Sequence, residues 1–495
     1  MWREGNASAQ TATTGAIQGR VLDESGARLI GVTVVATSPA LQGSQSAVTD
    51  DAGRYRIAGL PPGSYLVTFY YADLQVERRG VTVPLGQVTE VDQKLAGGAG
   101  GETIEVHGQG SPIDPTSTNQ GARVTQDQLR NLPIPGRTFD SALGAAPGSQ
   151  GDSFGVGFSG STSHENQYVV DGVNTTGLSF GTVGTPVITE FIDEIQVITG
   201  GYQAEYGRAT GGVVNVATKS GSNEFHGSAF TTVVPYQVSR TPVRQQQTSI
   251  DGTVNLDYQA DFGADLGGPI VKDKVWFYVG FAPQLVQDSI TRTVQSRTDC
   301  RKELPDGTLG PCDPEANLDG APDEDPTTHQ FLYEPVDRTS FQILQQTYQW
   351  VSKINLAASP DEQGQVSLVG TPVAGQSFLG VAGAPSATRV GYYGVTTDVA
   401  AGWTARFDDH RTEVEALLGW HRAKYNQDPL DGSVLDTPTT QSFFFNLGRV
   451  GAAGHESARA LAGCTDSTAG GDRYPAIENC PLLGYSLDSP GYTID

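Results

Sequence analysis

Hydrophobic and polar positions alternate on two scales along this chain. In 15–95, short apolar-rich runs at 16–21, 32–36, 53–57, 64–71, 81–83 and 88–95 are separated by turn signals such as Glu24-Ser25-Gly26 and Pro61-Pro62-Gly63. Strands this short at this spacing predict a self-contained antiparallel sandwich. Beyond Phe225 the alternation lengthens. Val399, Ala401, Trp403, Ala405 and Phe407 oppose Asp398, Thr404 and Arg406, and Val414, Ala416, Leu418 and Trp420 oppose Glu413, Glu415 and His421. Ala260, Phe262, Ala264 and Leu266 oppose Asp261 and Asp265 in the same manner. An apolar face out and carboxylates in is the pattern of a barrel wall with a wet lumen, although a soluble sandwich with one buried face shares the periodicity. Trp276, Tyr278, Trp350, Trp403 and Trp420 are candidates for aromatic girdles at the two membrane interfaces. The polar segments 287–348 and 428–489 are expected as long loops between such strands.

The middle of the chain is mixed. Residues 125–131 predict a short helix with Thr125 as N-cap and Pro133 as its stop. A strand at 168–170 runs into the turn Asp171-Gly172, and a turn aspartate bonded to its own backbone is the commonest role for Asp171. Between this region and the sandwich, 96–101 is a Gly/Ala stretch that predicts a flexible tether. Glu102, Thr103, Ile104, Glu105 and Val106 follow, alternating polar and apolar as one edge-seeking strand. Such a segment is the last strand of the first domain, plain linker, or a strand that adds to another protein's sheet edge.

The stretch 190–223, EFIDEIQVITGGYQAEYGRATGGVVNVATKSGSN, carries the strongest signal. Its strand at 195–198, Gly200, Tyr206, Gly207, Gly211, Gly212 and the run 213–219 resemble the closing segment of the plug domain of TonB-dependent outer-membrane receptors. The loop 132–137, ending in Arg137, and the strand 168–173 with Asp171 and Gly172 match the same pattern. The pattern Gly19 to Asp23, Gly26-Ala27, Gly31-Val32, 49–55 and 60–65 resembles the carboxypeptidase-regulatory-like fold. That likeness implies no peptidase: the His-Glu-x-x-His zinc motif is absent from the sequence. The run 200–208, ending in Arg208, is similar to the Oar-like branch of the receptors.

The resemblance implies a mainly β chain: an N-terminal antiparallel β-sandwich at 15–95, a linker at 96–109, a small mixed α/β plug domain at 110–222 and the first strands of an incomplete transmembrane β-barrel at 223–495. It implies that Glu102 to Val106 is a TonB box, gripped by a TonB-like energy transducer of the inner membrane. In such a plug Arg137 and Arg208 are candidates to face carboxylates of the barrel wall, with an exposed surface arginine as the alternative for each. The implied partners are that transducer, outer-membrane lipid and a scarce or bulky solute. No cofactor is expected. About seven strand candidates follow Phe225, against about 22 in a plugged transporter barrel, so the chain is expected to be the N-terminal part of such a receptor, truncated or split. A surface adhesion or assembly protein without energy coupling is the competing reading, and import and export stay open.

Composition sharpens the picture in three places. No apolar run reaches the ~18 residues of a membrane helix, which leaves the ~9–11-residue strands of a barrel as the membrane-crossing elements. The formal charge of −24 argues against nucleic acid, whose phosphates need a basic face. Asn6-Ala7-Ser8-Ala9 before Gln10 is similar to a signal-peptide cleavage site, so 1–14 is expected to be a processing remnant. The acidic run 313–325 reads as a solvated loop rather than a calcium site, since its fit to alternating calcium ligands is poor. Cys300 and Cys312 bracket one turn-rich segment, and Cys464 and Cys480 another; neither pair has Cys-x-x-Cys spacing. Two local disulfides in an oxidising compartment are expected. Peptide mapping without reduction should show links 300–312 and 464–480, and free thiols or crossed pairing would refute the assignment.

Overall fold

The computed structural model describes residues 14–38, 41, 43–95, 120–131, 136–177, 181–202, 206–207, 209–236, 243–244, 250–297, 301–303, 305, 309–311, 327, 333–359, 361–378, 389–407, 412–430, 465–467, 476–478 and 485–494. Glu102 to Val106, Arg208, Cys300, Cys312, Cys464, Cys480 and the acidic run 313–325 lie outside them.

The first domain is two facing sheets. One orders Arg54–Leu60, Gly15–Asp23 and Val88–Glu90, with Gln93–Leu95 also on Gly15–Asp23. The other orders Ser44–Val48, Thr33–Thr37, Gly63–Tyr71 and Leu74–Val83. Alternate residues of each strand, among them Ile17, Val34, Ile57, Val67 and Phe69, meet in one core. Two features differ from the sequence expectation. Gly15–Asp23 pairs in parallel with both 88–90 and 93–95, because the chain returns to that strand from the far sheet rather than through a hairpin. Ser44–Val48 is an extra strand whose polar sequence, SQSAV, hides the alternation; its inward Gln45 is buried.

The plug sheet orders Val173–Asn174, Gln167–Val170, Val213–Thr218, Ile192–Gly200 and Gln120–Thr125. Val213–Thr218 is its centre and is buried on both faces, as its near-continuous apolar sequence VVNVAT requires. The helix Gln126–Asn131 starts after Thr125, whose backbone N–H donates to the Gln128 side chain at 3.0 Å, one half of a capping box.

The third region is a ten-stranded antiparallel sheet running from His226–Val234 through Ile250–Val271, Val275–Arg297, Tyr333–Ser359, Glu362–Gly370, Arg389–Phe407 and Thr412–Pro429 to Tyr485–Ile494. Its first and last strands form the two edges of the path, as in a partial barrel. The turn at 272–274 and the strand ends Ser359/Glu362 and Phe407/Thr412 lie at one end of the sheet. The strand phase follows the alternation: Phe262, Leu266, Trp403, Phe407, Leu418 and Trp420 point outward and are exposed, while Asp261, Asp265, Asp398 and His421 point inward and are buried.

Three details correct the sequence reading. Strands continue to Arg297 and start again at Tyr333, so much of 287–348 is strand rather than loop. At 22 to 27 residues, these strands far outrun the ~9–11 needed to cross a bilayer, and the surplus stands in water, where neither face needs to be apolar. Trp276 and Tyr278 are fully buried on the inner face and cannot belong to a girdle. An interior filled by a plug can bury aromatic rings, and Trp276 Nε1 donates to Asn223 Oδ1 at 2.8 Å.

Candidate functional site

The plug sits against the inner face of the sheet, and its core runs on into the wall. Phe191, Ile195, Val197 and Val216 share one apolar cluster with Tyr278, Ala282, Val351 and Val369 of the barrel strands. Around that cluster lies a set of polar ties. The tightest centres on Asp171. Its turn joins Gln167–Val170 to Val173–Asn174, with φ of 47° at Asp171 and 88° at Gly172, the left-handed pair that suits a two-residue hairpin. The carboxylate does not serve its own turn. It accepts from Thr218 N (3.0 Å) and Thr218 Oγ1 (2.6 Å) of the central plug strand and from Lys353 Nζ (2.8 Å) of the barrel wall. Lys353 also donates to the Thr218 carbonyl at 2.9 Å, and both charged side chains are almost completely buried, at 4% and 3% exposure.

Other ties surround it. Arg137 pairs with Glu190 inside the plug, donates to Thr232 of the first barrel strand, stacks over Phe230 at 5.4 Å and stands 3.9 Å from Asp261. Lys219, where the plug ends, stands 3.9 Å from Asp265. Thr185 donates to Asp398, which is also bonded to His421. Gln349 accepts from the Ile188 backbone at 2.8 Å. These ties are hydrogen bonds, ion pairs and one cation–π stack set around the apolar cluster, and the polar ones can be exchanged for water. On the plug strand Ile192–Gly200, burial pushes the Glu194 carboxyl up to about 7 against the pull of Arg123. Burial likewise pushes Asp193 up to about 6 against Lys353, Lys219 and His226.

The motif glycines divide by role. A side chain at Gly212 would overlap the Phe158 ring, and one at Gly211 would come within 2.6 Å of Asn166 Oδ1, which accepts the Gly212 N–H. Gly207 faces open space, Gly200 closes the strand against Gln120, and Tyr206 is bonded through its hydroxyl to Asn215. Gly212→Ala should therefore cost about 1–3 kcal/mol of plug stability by overpacking, while Gly207→Ala stays within roughly 0.5 kcal/mol. Protease resistance of the plug in the full-length protein checks the contrast; equal losses would refute it.

Lys353 and Gln349 escape a motif reading, Thr218 is legible only as part of the run 213–219, and Asp398 only as an inward position of the wall. The signal for Lys353 is its parity: Ile354 and Leu356 face outward, and Lys353 and Asn355 face inward. A His-x-x-Glu spacing does occur at His410–Glu413, in the barrel part of the sequence. His410 lies outside the described residues, and Glu413 is held by Arg406 at 2.9 Å. Among the described residues, no group of three or more His, Cys, Asp or Glu side chains is placed to hold a metal ion.

Comparison with known proteins decides the family. The profile described as TonB-dependent Receptor Plug Domain matches residues 114–213, that of an Outer membrane beta barrel domain 217–363, and that of a Carboxypeptidase regulatory-like domain 16–96. The chain belongs to the TonB-dependent receptors of the outer membrane. It is 35% identical over 514 residues to the TonB-dependent transporter Oar of Myxococcus xanthus, a match covering 99% of this chain and 47% of that protein. The chain thus spans about half the length of this curated relative. Among solved structures, the outer membrane transporter YddB of Escherichia coli is similar at 13% identity and TM-score 0.40, over 62% of this chain and 39% of that one. The ferripyoverdine receptor of Pseudomonas aeruginosa is similar at 13% identity and TM-score 0.33, over 62% and 42%. These relatives are receptors and transporters, not enzymes.

Proposed function

We propose that this receptor moves a scarce or bulky solute across the outer membrane, with energy delivered from the inner membrane by a TonB-like transducer. The transducer grips Glu102 to Val106 by adding that strand to its own sheet, where main-chain hydrogen bonds carry the load and side chains matter little. The outward apolar faces of the barrel strands meet outer-membrane lipid. Arg137 and Arg208 serve as plug arginines toward wall carboxylates, and no cofactor or reaction chemistry takes part.

The observation that carries this reading is the seating of the plug. Its ties to the wall through Asp171, Lys353, Thr218, Arg137 and Thr185 are polar and local, so a pull can break them one after another and water can satisfy them. A permanent structural filling has no need of such a seat. In cells, uptake should stop when the proton gradient is collapsed or the transducer gene is deleted, while surface binding of the solute persists. Binding without any energy-dependent accumulation would favour the adhesion reading instead.

A further inference from the structure

We propose that the N-terminal sandwich is a clasp that fastens the plug to the barrel rim, and that it must let go of one of them before the plug can move. The inference rests on the reading that the plug moves during transport. It starts from two separate footholds of the first domain.

The first foothold is the turn between Leu74–Val83 and Val88–Glu90. Leu85 N–H donates to Glu194 Oε1 of the plug at 3.2 Å. The Leu85 side chain is only 1% exposed, although it belongs to neither the sandwich core nor the core of the plug. A turn leucine buried outside its own core is buried by a neighbour. Beside it Gly86, at φ 61°, lies against Gln196, whose Oε1 is 3.3 Å from the position a Cβ would take. Glu194 and Gln196 both belong to Ile192–Gly200. Burial of the Glu194 carboxyl at this contact accords with its raised pKa.

The second foothold is on the barrel. Arg406 Nη2 donates to the Ala58 carbonyl at 2.8 Å, and any side chain at Gly59, where φ is 69°, would overlap the guanidinium. The arginine is buried and held in place. Its Nε binds Glu413 across the strand pair, and its backbone N–H reaches the Asp361 carbonyl at 2.9 Å. Arg56 of the sandwich also lies within the field of Glu413. Asp361 and the strand ends at Phe407 and Thr412 bound this foothold.

One rigid domain bonded to both the plug and the wall couples them. A shift of Ile192–Gly200 relative to Arg406 breaks one foothold or the other. Each foothold centres on one hydrogen bond, buried at Leu85 and part-buried at Arg406, with close packing around it, strong enough to hold at rest and weak enough to open under load. The connection carrying Glu102 to Val106 leaves the sandwich after Leu95 and re-enters at Gln120, which pairs with Gly200 on the strand that bears Glu194. A pull between those two points therefore loads clasp and plug together.

The test uses the full-length protein in cells, with photocleavable bismaleimide links. Arg56→Cys with Glu413→Cys ties the sandwich to the barrel; Gly86→Cys with Gln196→Cys ties it to the plug. Either link alone leaves one foothold free, and uptake should stay within about two-fold of wild type. Both links together should lower uptake at least ten-fold, and light should restore it. Normal uptake by the doubly linked protein, or a block by one link alone, overturns the clasp. A second measurement, hydrogen exchange at the Leu85 amide, is independent of transport. Exchange should be at least ten-fold slower in wild type than in Glu194→Ala, and equal rates overturn the docking itself. If the unlinked protein accumulates nothing, the transport reading fails, while the exchange result still decides whether the clasp is docked.

Discussion

Replacing Ile104 by proline in the full-length receptor is expected to abolish energy-dependent uptake, a loss of at least two orders of magnitude, while solute binding at the cell surface is unchanged. Proline lacks the backbone N–H and cannot sit in a central added strand, so it removes a ladder bond where the transducer must pair. The change lies in the segment that precedes the plug, which in this reading meets the transducer and not the solute, and this accounts for the spared binding. Ile104→Ala keeps the donor and should lose less than about ten-fold, because a strand-addition contact reads the main chain before the side chain. Radiolabelled uptake against binding at zero proton gradient separates the two quantities. Normal transport by the proline variant would demote 102–106 to linker and leave the adhesion reading the stronger one.

The outline of this molecule was legible because its alternation has a physical cause wherever one side of a strand is wet and the other apolar. Phe262 against Asp261 and Trp403 against Asp398 gave the correct phase of the wall for that reason. Where the cause fails, so does the reading. From about Gln287 to Arg297 and from Tyr333 to Tyr348 the strands run beyond the apolar band, both faces tolerate polar residues, and the sequence looks like loop. Trp276 and Tyr278 misled in the opposite sense: they alternate like girdle residues but serve the plug's side of the wall. The seat itself was only half legible. Asp171 stood out as part of a turn, yet its partners Thr218 and Lys353 are 47 and 182 positions away, and no local pattern announces contacts at that distance.

Lys353→Met is the variant expected to disturb the resting molecule most. The lysine neutralises Asp171 where both side chains are almost completely buried, so its removal leaves a buried carboxylate held only by Thr218. Breaking one side of such a pair costs about 3–5 kcal/mol, against roughly 0–1 kcal/mol for an exposed surface pair. The longer contacts of Arg137 with Asp261 and Lys219 with Asp265, both at 3.9 Å, are not close enough to compensate. That loss corresponds to a rise on the order of 10²–10⁴-fold in the population with this corner of the plug unseated. Cells carrying the variant should admit a bulky dye or antibiotic without energy input, at rates the wild type does not show. The double variant Asp171→Asn with Lys353→Met should recover much of the seal, since asparagine tolerates the left-handed backbone at this turn and leaves no charge to bury. An unchanged seal in Lys353→Met would mean that the apolar cluster around Phe191 and Tyr278 holds the plug by itself. A leak that the double variant fails to repair would mean that the lysine acts through packing rather than charge.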